Sequence, residues 1–320
     1  MASSSDTRAP NAVVTLSLGN RPFVQHTRPL MAAYAARIGA DFHCVESKEH
    51  ASLRSARQIA NGSAALRFLK LPLLSHFLKR YSRVLYMDDD VLVGPAMPDL
   101  FARVPPSSLG ATVEVHKPQN WHAMHWRNAC ELYGVQNCDP KRWKLFNSGM
   151  MLLSREAHGD LLSRGWRDDA PRLQCRVLCD QLYLNALMRR AAAPLVDVGM
   201  AFNYVGSELR RALVVSGDGS PLHAEPRRAA LRDACALHLT RKVPKLYTVD
   251  WVARRMLRRR NADVLQCGGN ASWPPSSSAA DERKKALLAR LPRPLPEGKY
   301  EIGQVLCQGE KAPCRLQDWV

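Results

Sequence analysis

The segment Arg83-Val84-Leu85-Tyr86-Met87-Asp88-Asp89-Asp90 joins an apolar run to three consecutive carboxylates. A short apolar run of this kind is typical of a buried strand, and the aspartates then lie at its carboxyl end. Adjacent carboxylates repel each other at a partly solvated strand end, so a positive group is expected beside them. The stretch predicts a central strand with a functional edge at residues 88–90.

Strand and helix patterns alternate on both sides of this stretch. Strands are expected at residues 13–18, 42–45, 83–87, 109–115, 145–154, 195–198 and 236–239, and helices at 28–38, 64–80 and 179–190. This alternation predicts an α/β fold with a mostly parallel, mixed sheet flanked by helices. Ligands of such sheets bind beyond the carboxyl ends of the strands, where the aspartates lie.

The spacing of the aspartates favours a metal site. Alternate side chains of an extended segment point the same way, so Asp88 and Asp90 face one side and Asp89 the other. Two carboxylates on one side suit a hard divalent cation, which would in turn hold a diphosphate. A turn with solvated aspartates is the alternative reading.

Composition indicates a folded, basic protein. The 320 residues are 46% hydrophobic, and 46 Lys and Arg against 29 Asp and Glu give a formal net charge of +17. These values exclude disorder over the whole chain. The densest basic run, Arg254 to Arg260, is interpreted as a solvated helix face, with an anionic partner as the alternative. No aromatic residues interleave with it, so no nucleic-acid partner is expected.

The alternation of strand and helix patterns ends near residue 261, and this sets the expected domain limits. We expect a flexible N-terminus at 1–11, one domain at 12–260, and a loop-rich extension containing Pro, Ser and Cys at 261–320. No signal or membrane-spanning segment is evident, which favours the cytoplasm; the Golgi lumen is the alternative if an anchor is missing.

The nine cysteines leave the compartment open. Cys130 with Cys138, and Cys307 with Cys314, would close small loops under oxidising conditions. Sequons at Asn61 and Asn270 fit the same environment, although two in this length are near chance.

Residues 86–93, Tyr-Met-Asp-Asp-Asp-Val-Leu-Val, resemble the DxD signature of GT-A glycosyltransferases, in a setting similar to glycosyltransferase family 8, the glycogenin and galactosyltransferase-like group. Other segments agree in order with that family. They are the basic helix 67–72, the FNSG-like strand 146–152, the DQxxLN-like helix 179–185, the short element 202–204, and His238, near where the family places a metal-binding histidine.

The resemblance implies a Rossmann-like GT-A domain and a metal-dependent, retaining hexosyltransferase. The sugar donor would be a nucleotide-diphosphate sugar, most often UDP-linked. The metal, Mn²⁺ or Mg²⁺, would be held by Asp88, Asp90 and His238, and a neutral imidazole favours manganese.

The resemblance also implies roles for the helix that begins near residue 179 and for the FNSG-like strand. Asp180 and Gln181 are expected to contact the donor sugar and to stabilise the transition state; helix capping is the alternative for Asp180. Asn147 and Ser148, with Gly149, would form a floor under the donor, with a β-bulge as the alternative.

Further residues are expected to contact the nucleotide sugar. They are Asp88, Asp89, Arg67, Lys70, Lys242 and Lys245. Arg67 or Lys70 would neutralise the aspartates, unless they belong to a solvated helix face. In the family's HxxGxxKP-like stretch a glycine stands at the position of Arg241, and the lysines lie at other positions. Lys242 or Lys245 would then contact the diphosphate, and Arg241 would add a bidentate phosphate contact.

The acceptor would be a carbohydrate, a protein or a small molecule. Residues 116–143 are expected to contribute to its pocket, and Trp121, Trp126 and Trp143 are available to stack on sugar rings or to fill the core.

Two other classes of function are alternatives to a glycosyltransferase. A haloacid-dehalogenase-like phosphatase would use Asp88 as nucleophile, but its motif lies on the first strand and continues DxDx(T/V), whereas Leu92 stands at that last position. A non-catalytic polyanion binder explains the basic C-terminal third but does not need Asp88 and Asp90 as a pair.

Overall fold

The computed structural model describes residues 11–21, 24–56, 63–95, 97–136, 139, 143–169, 173, 178–205 and 234–239. The strands are β1 (Asn11–Leu16), β2 (Asp41–Val45), β3 (Arg83–Asp88), β4 (Val91–Val93), β5 (Leu109–Val113), β6 (Phe146–Ser154), β7 (Leu195–Asp197), β8 (Tyr204–Val205) and β9 (Ala236–His238). The α-helices are α1 (Val24–Arg37), α2 (Ser63–Phe68), α3 (Lys70–Arg80), α4 (Leu100–Arg103), α5 (Gln119–Tyr133), α6 (Asp160–Asp169) and α7 (Cys179–Arg190).

A six-stranded sheet in the order β2-β1-β3-β6-β5-β7 forms the centre of the described fold. Strand β1 is parallel to β2 and β3, and β5 is parallel to β7. Strand β6 is antiparallel to both of its neighbours, β3 and β5. The predicted fold class, α/β with a mostly parallel mixed sheet flanked by helices, is confirmed.

Alternation along the strands places a core on each face of this sheet. Val14 and Tyr86 face the side covered by α3, α5, α6 and α7, and Val13 and Leu85 face the side covered by α1 and α4. Complete burial of one such aliphatic side chain stabilises the fold by about 1.5–3 kcal/mol. The strand that ends in the aspartates is therefore held from both faces.

A second, three-stranded sheet brings a distant segment to the end of β3. Strand β4 pairs antiparallel with β9, with Val91 opposite His238, and β9 pairs parallel with β8. The Leu239 N–H also donates to the Asp90 carbonyl at 2.9 Å. This register places His238 beside residues 88–90.

The helix expected at 64–80 is two helices, α2 and α3, separated at Leu69. Pro72 has no N–H to donate to the Phe68 carbonyl, so a single uninterrupted helix would lack that hydrogen bond. In the first turn of a new helix the missing N–H costs nothing. The restart places Lys70 at the first position of α3, turned into the protein.

Three of the described cysteines, Cys130, Cys179 and Cys235, are disulfide-bonded. Cys44 is a half-buried free thiol, and burial raises its pKa to about 11. The pairing of Cys130 with Cys138 stays a prediction, because Cys138 lies outside the described residues.

Several predictions lie outside the described residues: Lys242, Lys245, the arginine run 254–260, both sequon asparagines and the extension 261–320. The domain limit near 260 therefore stays a prediction. Among the helices that the structure describes, none has the length and apolar character needed to cross a membrane.

We expect the fold to lose stability as pH falls from about 6.5 towards 4, in part through His158. This side chain is fully buried, and its Nδ1 accepts the Ser154 N–H at 3.1 Å. Burial lowers its pKa from 6.5 to about 4, so the unfolded chain binds the proton more readily. The contribution is present above pH 6.5 and its loss reaches about 3 kcal/mol near pH 4.

Urea unfolding across this pH range checks this expectation. His158→Asn offers an acceptor in the position of Nδ1 but does not titrate, so its stability should fall less steeply with acid than that of the wild type. Equal slopes for the two proteins would contradict the assignment.

Candidate metal and nucleotide-sugar site

Two carboxylates and an imidazole converge at the end of β3. Asp88, Asp90 and His238 each present a ligand atom within 4.8 Å of the others. His238 Nε2 lies 3.1 Å from Asp90 Oδ1 and 3.6 Å from Asp88 Oδ2. Asp90 and His238 are buried, and Asp88 is partly exposed. Two carboxylate oxygens and one imidazole nitrogen form a donor set that fits a divalent cation.

The charge of His238 follows from this setting. Burial by itself would lower the pKa of the imidazole, but the carboxylates of Asp90 and Asp88 outweigh that effect and raise it. The carboxylates of Asp88 and Asp90 therefore carry enough negative charge to attract a cation into a buried position.

Asp89 points away from this group, but not through strand alternation: β3 ends at Asp88, and Asp89 and Asp90 form the turn between β3 and β4. Both turn carboxylates are buried, so the alternative of a turn is correct and that of solvated aspartates is not. Its Oδ1 accepts from Arg21 Nη2 at 2.7 Å, and its carbonyl accepts from Thr27 Oγ1 at 2.6 Å. Burial raises the pKa of Asp89 to about 6, although Arg21 acts in the opposite direction. The side chain thus ties the segment between β1 and α1 to the end of β3.

Lys70 lies between two carboxylates. Its Nζ is 2.6 Å from Asp180 Oδ2 and 3.1 Å from Asp88 Oδ1, and it donates to the Ser148 carbonyl at 3.1 Å. Burial alone would lower the pKa of this ammonium, yet Asp180 and Asp88 raise it well above its usual value. Lys70 is buried, so a solvated helix face is excluded for it.

Arg67 takes a different direction from Lys70. Among the described residues its Nη1 donates to Cys179 Sγ at 3.4 Å. The two basic residues of the segment 67–72 are therefore not equivalent, and Lys70 is the one that faces the aspartates.

Asp180 belongs to the first turn of α7 and does not cap it. The residue before the helix is Leu178, which makes no side-chain capping hydrogen bond. The Asp180 carboxylate instead accepts from Ser148 Oγ at 2.9 Å and pairs with Lys70. The capping alternative therefore fails.

Asn147 and Gln181 belong to a buried network of polar side chains. Asn147 Nδ2 donates to Gln181 Oε1 at 3.3 Å and to Glu114 Oε1 at 3.4 Å. Gln181 Nε2 donates to Glu114 Oε2 at 2.9 Å. Both amides are thus engaged by protein groups in this structure.

Glu114 was not among the residues singled out from the sequence. It follows β5 directly, at the same edge of the sheet as Asp88, and burial raises its pKa. An acidic residue immediately after an apolar strand was the available signal.

The FNSG-like segment is a bulge as well as part of the site. The register between β5 and β6 shifts between Ala111 and Val113, opposite residues 147–150 of β6. At this irregularity two main-chain N–H groups of β6 donate to side chains instead of to β5. The Ser148 N–H donates to Gln181 Oε1 at 3.4 Å, and the Gly149 N–H donates to Asn147 Oδ1 at 2.9 Å. The two readings of this segment are therefore compatible.

The tryptophans of the predicted acceptor segment differ in environment. Trp126 is buried in the core, and Trp143 lies under the Arg189 guanidinium, 3.7 Å from the ring centroid. Trp121 is partly exposed and packs edge-on against His125. Trp126 is thus a core residue, whereas sugar stacking stays a prediction for the other two.

No protein-family model and no curated protein matches the chain. Similar solved structures include a glycosyltransferase involved in the glycosylation of the major capsid of PBCV-1, at 14% identity and a TM-score of 0.48, covering 76% of this chain and 99% of that one. The galactosyltransferase LgtC in complex with donor and acceptor sugar analogues has 15% identity and a TM-score of 0.42, with 85% and 99% covered. Mouse xyloside xylosyltransferase 1 has 14% identity and a TM-score of 0.41, with 73% and 99% covered. These identities and TM-scores are too low to support a conclusion about function.

Proposed function

We propose that this chain is a metal-dependent, retaining glycosyltransferase that moves a hexose from a nucleotide-diphosphate sugar, with a UDP-sugar as the favoured donor, to an acceptor hydroxyl. The observation that carries the proposal is the meeting of Asp88, Asp90 and His238 at the carboxyl edge of the sheet. His238 is 150 positions from Asp88 in sequence, and the pairing of β4 with β9 brings it to the two aspartates.

The cation would be held by Asp88, Asp90 and His238. When bound, a divalent metal such as Mn²⁺ or Mg²⁺ neutralises the negative charge that builds on a departing diphosphate. The carboxylates of Asp88 and Asp90 would attract a cation into this buried position, as they already favour the positive charge of a protonated His238.

Lys70 would fix the positions of Asp180 and Asp88 relative to each other. It pairs with Asp180 on one side and Asp88 on the other, so it links the helix that begins at residue 179 to the end of β3. Ser148 donates to the same Asp180 oxygen. Because these groups are buried, their separations are fixed before any substrate arrives.

The environment of Asp180 favours departure and attack on the same face of the sugar. A carboxylate that is paired with Lys70 at 2.6 Å and accepts a hydroxyl hydrogen is a poor nucleophile. It remains able to stabilise positive charge at the anomeric carbon, and Gln181 would orient the sugar beside it. Arg67, Asp89, Lys242 and Lys245 stay predicted contacts of the nucleotide sugar.

The disulfides support an oxidising compartment. Bonds at Cys130, Cys179 and Cys235 persist where thiols are not kept reduced. We therefore favour the lumen of the secretory pathway over the cytoplasm. The acceptor, whether carbohydrate, protein or small molecule, is not assigned.

A screen of donor hydrolysis tests the function. UDP- and GDP-sugars are incubated with the protein and Mn²⁺, and release of the nucleoside diphosphate is measured. We expect turnover of a UDP-hexose that falls about 100-fold or more in Asp90→Asn, because that variant loses a metal-binding oxygen.

Asp168→Asn is the matched control, since Asp168 is an exposed carboxylate paired with the neighbouring Arg167. Its turnover should equal that of the wild type. Unchanged activity in Asp90→Asn would remove the metal assignment, and release of inorganic phosphate from a phosphate ester through Asp88 would favour the phosphatase.

A further inference from the structure

The bulge in β6 supplies a buried main-chain donor. The Gly149 N–H donates to Asn147 Oδ1 at 2.9 Å. A backbone N–H cannot accept a hydrogen bond, so the Asn147 atom that faces it must be the oxygen. The orientation of this amide is therefore determined by the main chain.

Asn203 is oriented in turn by Asn147. Asn203 Nδ2 donates to the same Asn147 oxygen at 2.9 Å. The opposite end of the Asn203 amide, Oδ1, then faces His238 Nδ1 at 3.1 Å. Asn203 is fully buried and Asn147 nearly so, which leaves water little access to replace these bonds.

The reverse arrangement is ruled out by the same donor. For His238 Nδ1 to accept, Asn203 would have to present its NH₂ group to the ring and its oxygen to Asn147. Asn147 would then have to turn its own NH₂ group towards Asn203, and that group would face the Gly149 N–H. Two donors would meet in a buried position, where neither could be satisfied.

We infer that Asn203, oriented through Asn147 by the Gly149 N–H, is a positioning residue that keeps the hydrogen of neutral His238 on Nδ1 and leaves Nε2 free to bind a cation. Nε2 is the nitrogen that faces the Asp88 and Asp90 carboxylates. An imidazole can bind a metal only through a nitrogen without a hydrogen, and a partner at the other nitrogen fixes which one that is. The part of this inference that concerns cation binding rests on the proposed function. The hydrogen bonds that orient Asn203 do not depend on it.

The test compares Asn203→Leu with Asn203→Asp. Leu has the same branched shape but cannot accept the Nδ1 hydrogen, so Nε2 would carry the hydrogen and donate it to Asp90. We expect the affinity for Mn²⁺, measured by electron paramagnetic resonance, to fall about 10- to 100-fold in Asn203→Leu. The nitrogen hyperfine coupling of bound Mn²⁺ should disappear as well.

Asn203→Asp keeps an oxygen opposite Nδ1, and in its protonated form it can also donate to Asn147. It should restore both the affinity and the nitrogen coupling, a rescue that a purely structural role for Asn203 would not produce. Wild-type affinity and coupling in Asn203→Leu would overturn the inference.

A second measurement separates this inference from the proposed function. The ¹⁵N spectrum of the His238 ring in metal-free wild-type protein, recorded at alkaline pH where the ring is neutral, should show the hydrogen on Nδ1. Hydrogen on Nε2 would overturn the inference even if Asn203→Leu does not fold. Failure of the wild type to bind Mn²⁺ while Nδ1 carries the hydrogen would refute only the metal-dependent function.

Discussion

Replacing Gly149 with Ala should abolish high-affinity metal binding and the activity that depends on it. A Cβ at this position would lie 2.1 Å from His238 Cε1 and 2.6 Å from its Nδ1, far inside van der Waals contact. The ring is buried, so it must move away from Asp90 or the strand must shift. We expect an affinity for Mn²⁺ reduced about 100-fold and a loss of about 1–3 kcal/mol in stability from overpacking.

Gly159→Ala is the matched control for this variant. There the added carbon meets only Arg155 Cγ, at 3.7 Å, which is an ordinary contact. Calorimetry with Mn²⁺ on both variants makes the comparison. If Gly149→Ala bound Mn²⁺ as tightly as Gly159→Ala, His238 would not belong to the metal site.

Replacing Lys70 with Met should both destabilise the fold and remove activity. The ammonium is the group that compensates Asp180, and both side chains are largely buried. Loss of one partner of a buried ion pair leaves an uncompensated charge, which typically costs about 3–5 kcal/mol. Urea unfolding measures the stability, and donor hydrolysis should fall about 100-fold or more.

The double variant Lys70→Met/Asp180→Asn separates the two effects. Removing the stranded carboxylate should recover much of the lost stability, because no unpaired charge then remains at that position. Activity should stay absent, since Asp180 is itself assigned to the site. A Lys70→Met protein as stable as the wild type would show that the pair contributes nothing to folding.

The elements that the sequence predicted are those with strong local periodicity. The apolar run before Asp88 forms β3, and helix α7 has the predicted limits, 179–190. Both patterns reflect contacts within a few residues, which a single sequence carries directly. Helix α5 was not predicted. Its buried residues, His122, His125, Trp126, Ala129 and Tyr133, do have helical spacing, but two of them are histidines, so the stripe is not apolar in the sequence.

The same division applies to the site. The sequence predicted that Asp89 faces away from Asp88 and Asp90, and Asp89 does turn towards Arg21. The strand geometry behind that prediction was wrong, because β3 ends at Asp88 and residues 89–90 form a turn. Glu114 was missed because nothing near it in sequence reveals that it faces Gln181. Its contact depends on which strands become neighbours in the sheet.

The sequence by itself determined the class of fold and the position of the acidic edge. Those properties follow from the local periodicity of strands and helices and from the chemistry of carboxylates. Tertiary structure decided that His238 stands opposite Val91 and that Lys70, at the restart of a helix, reaches Asp180. It also decided which hydrogen-bonding atoms of Asn147 and Asn203 face each other. These relations depend on strand register and on one bulge, which are set by packing between segments far apart in the chain.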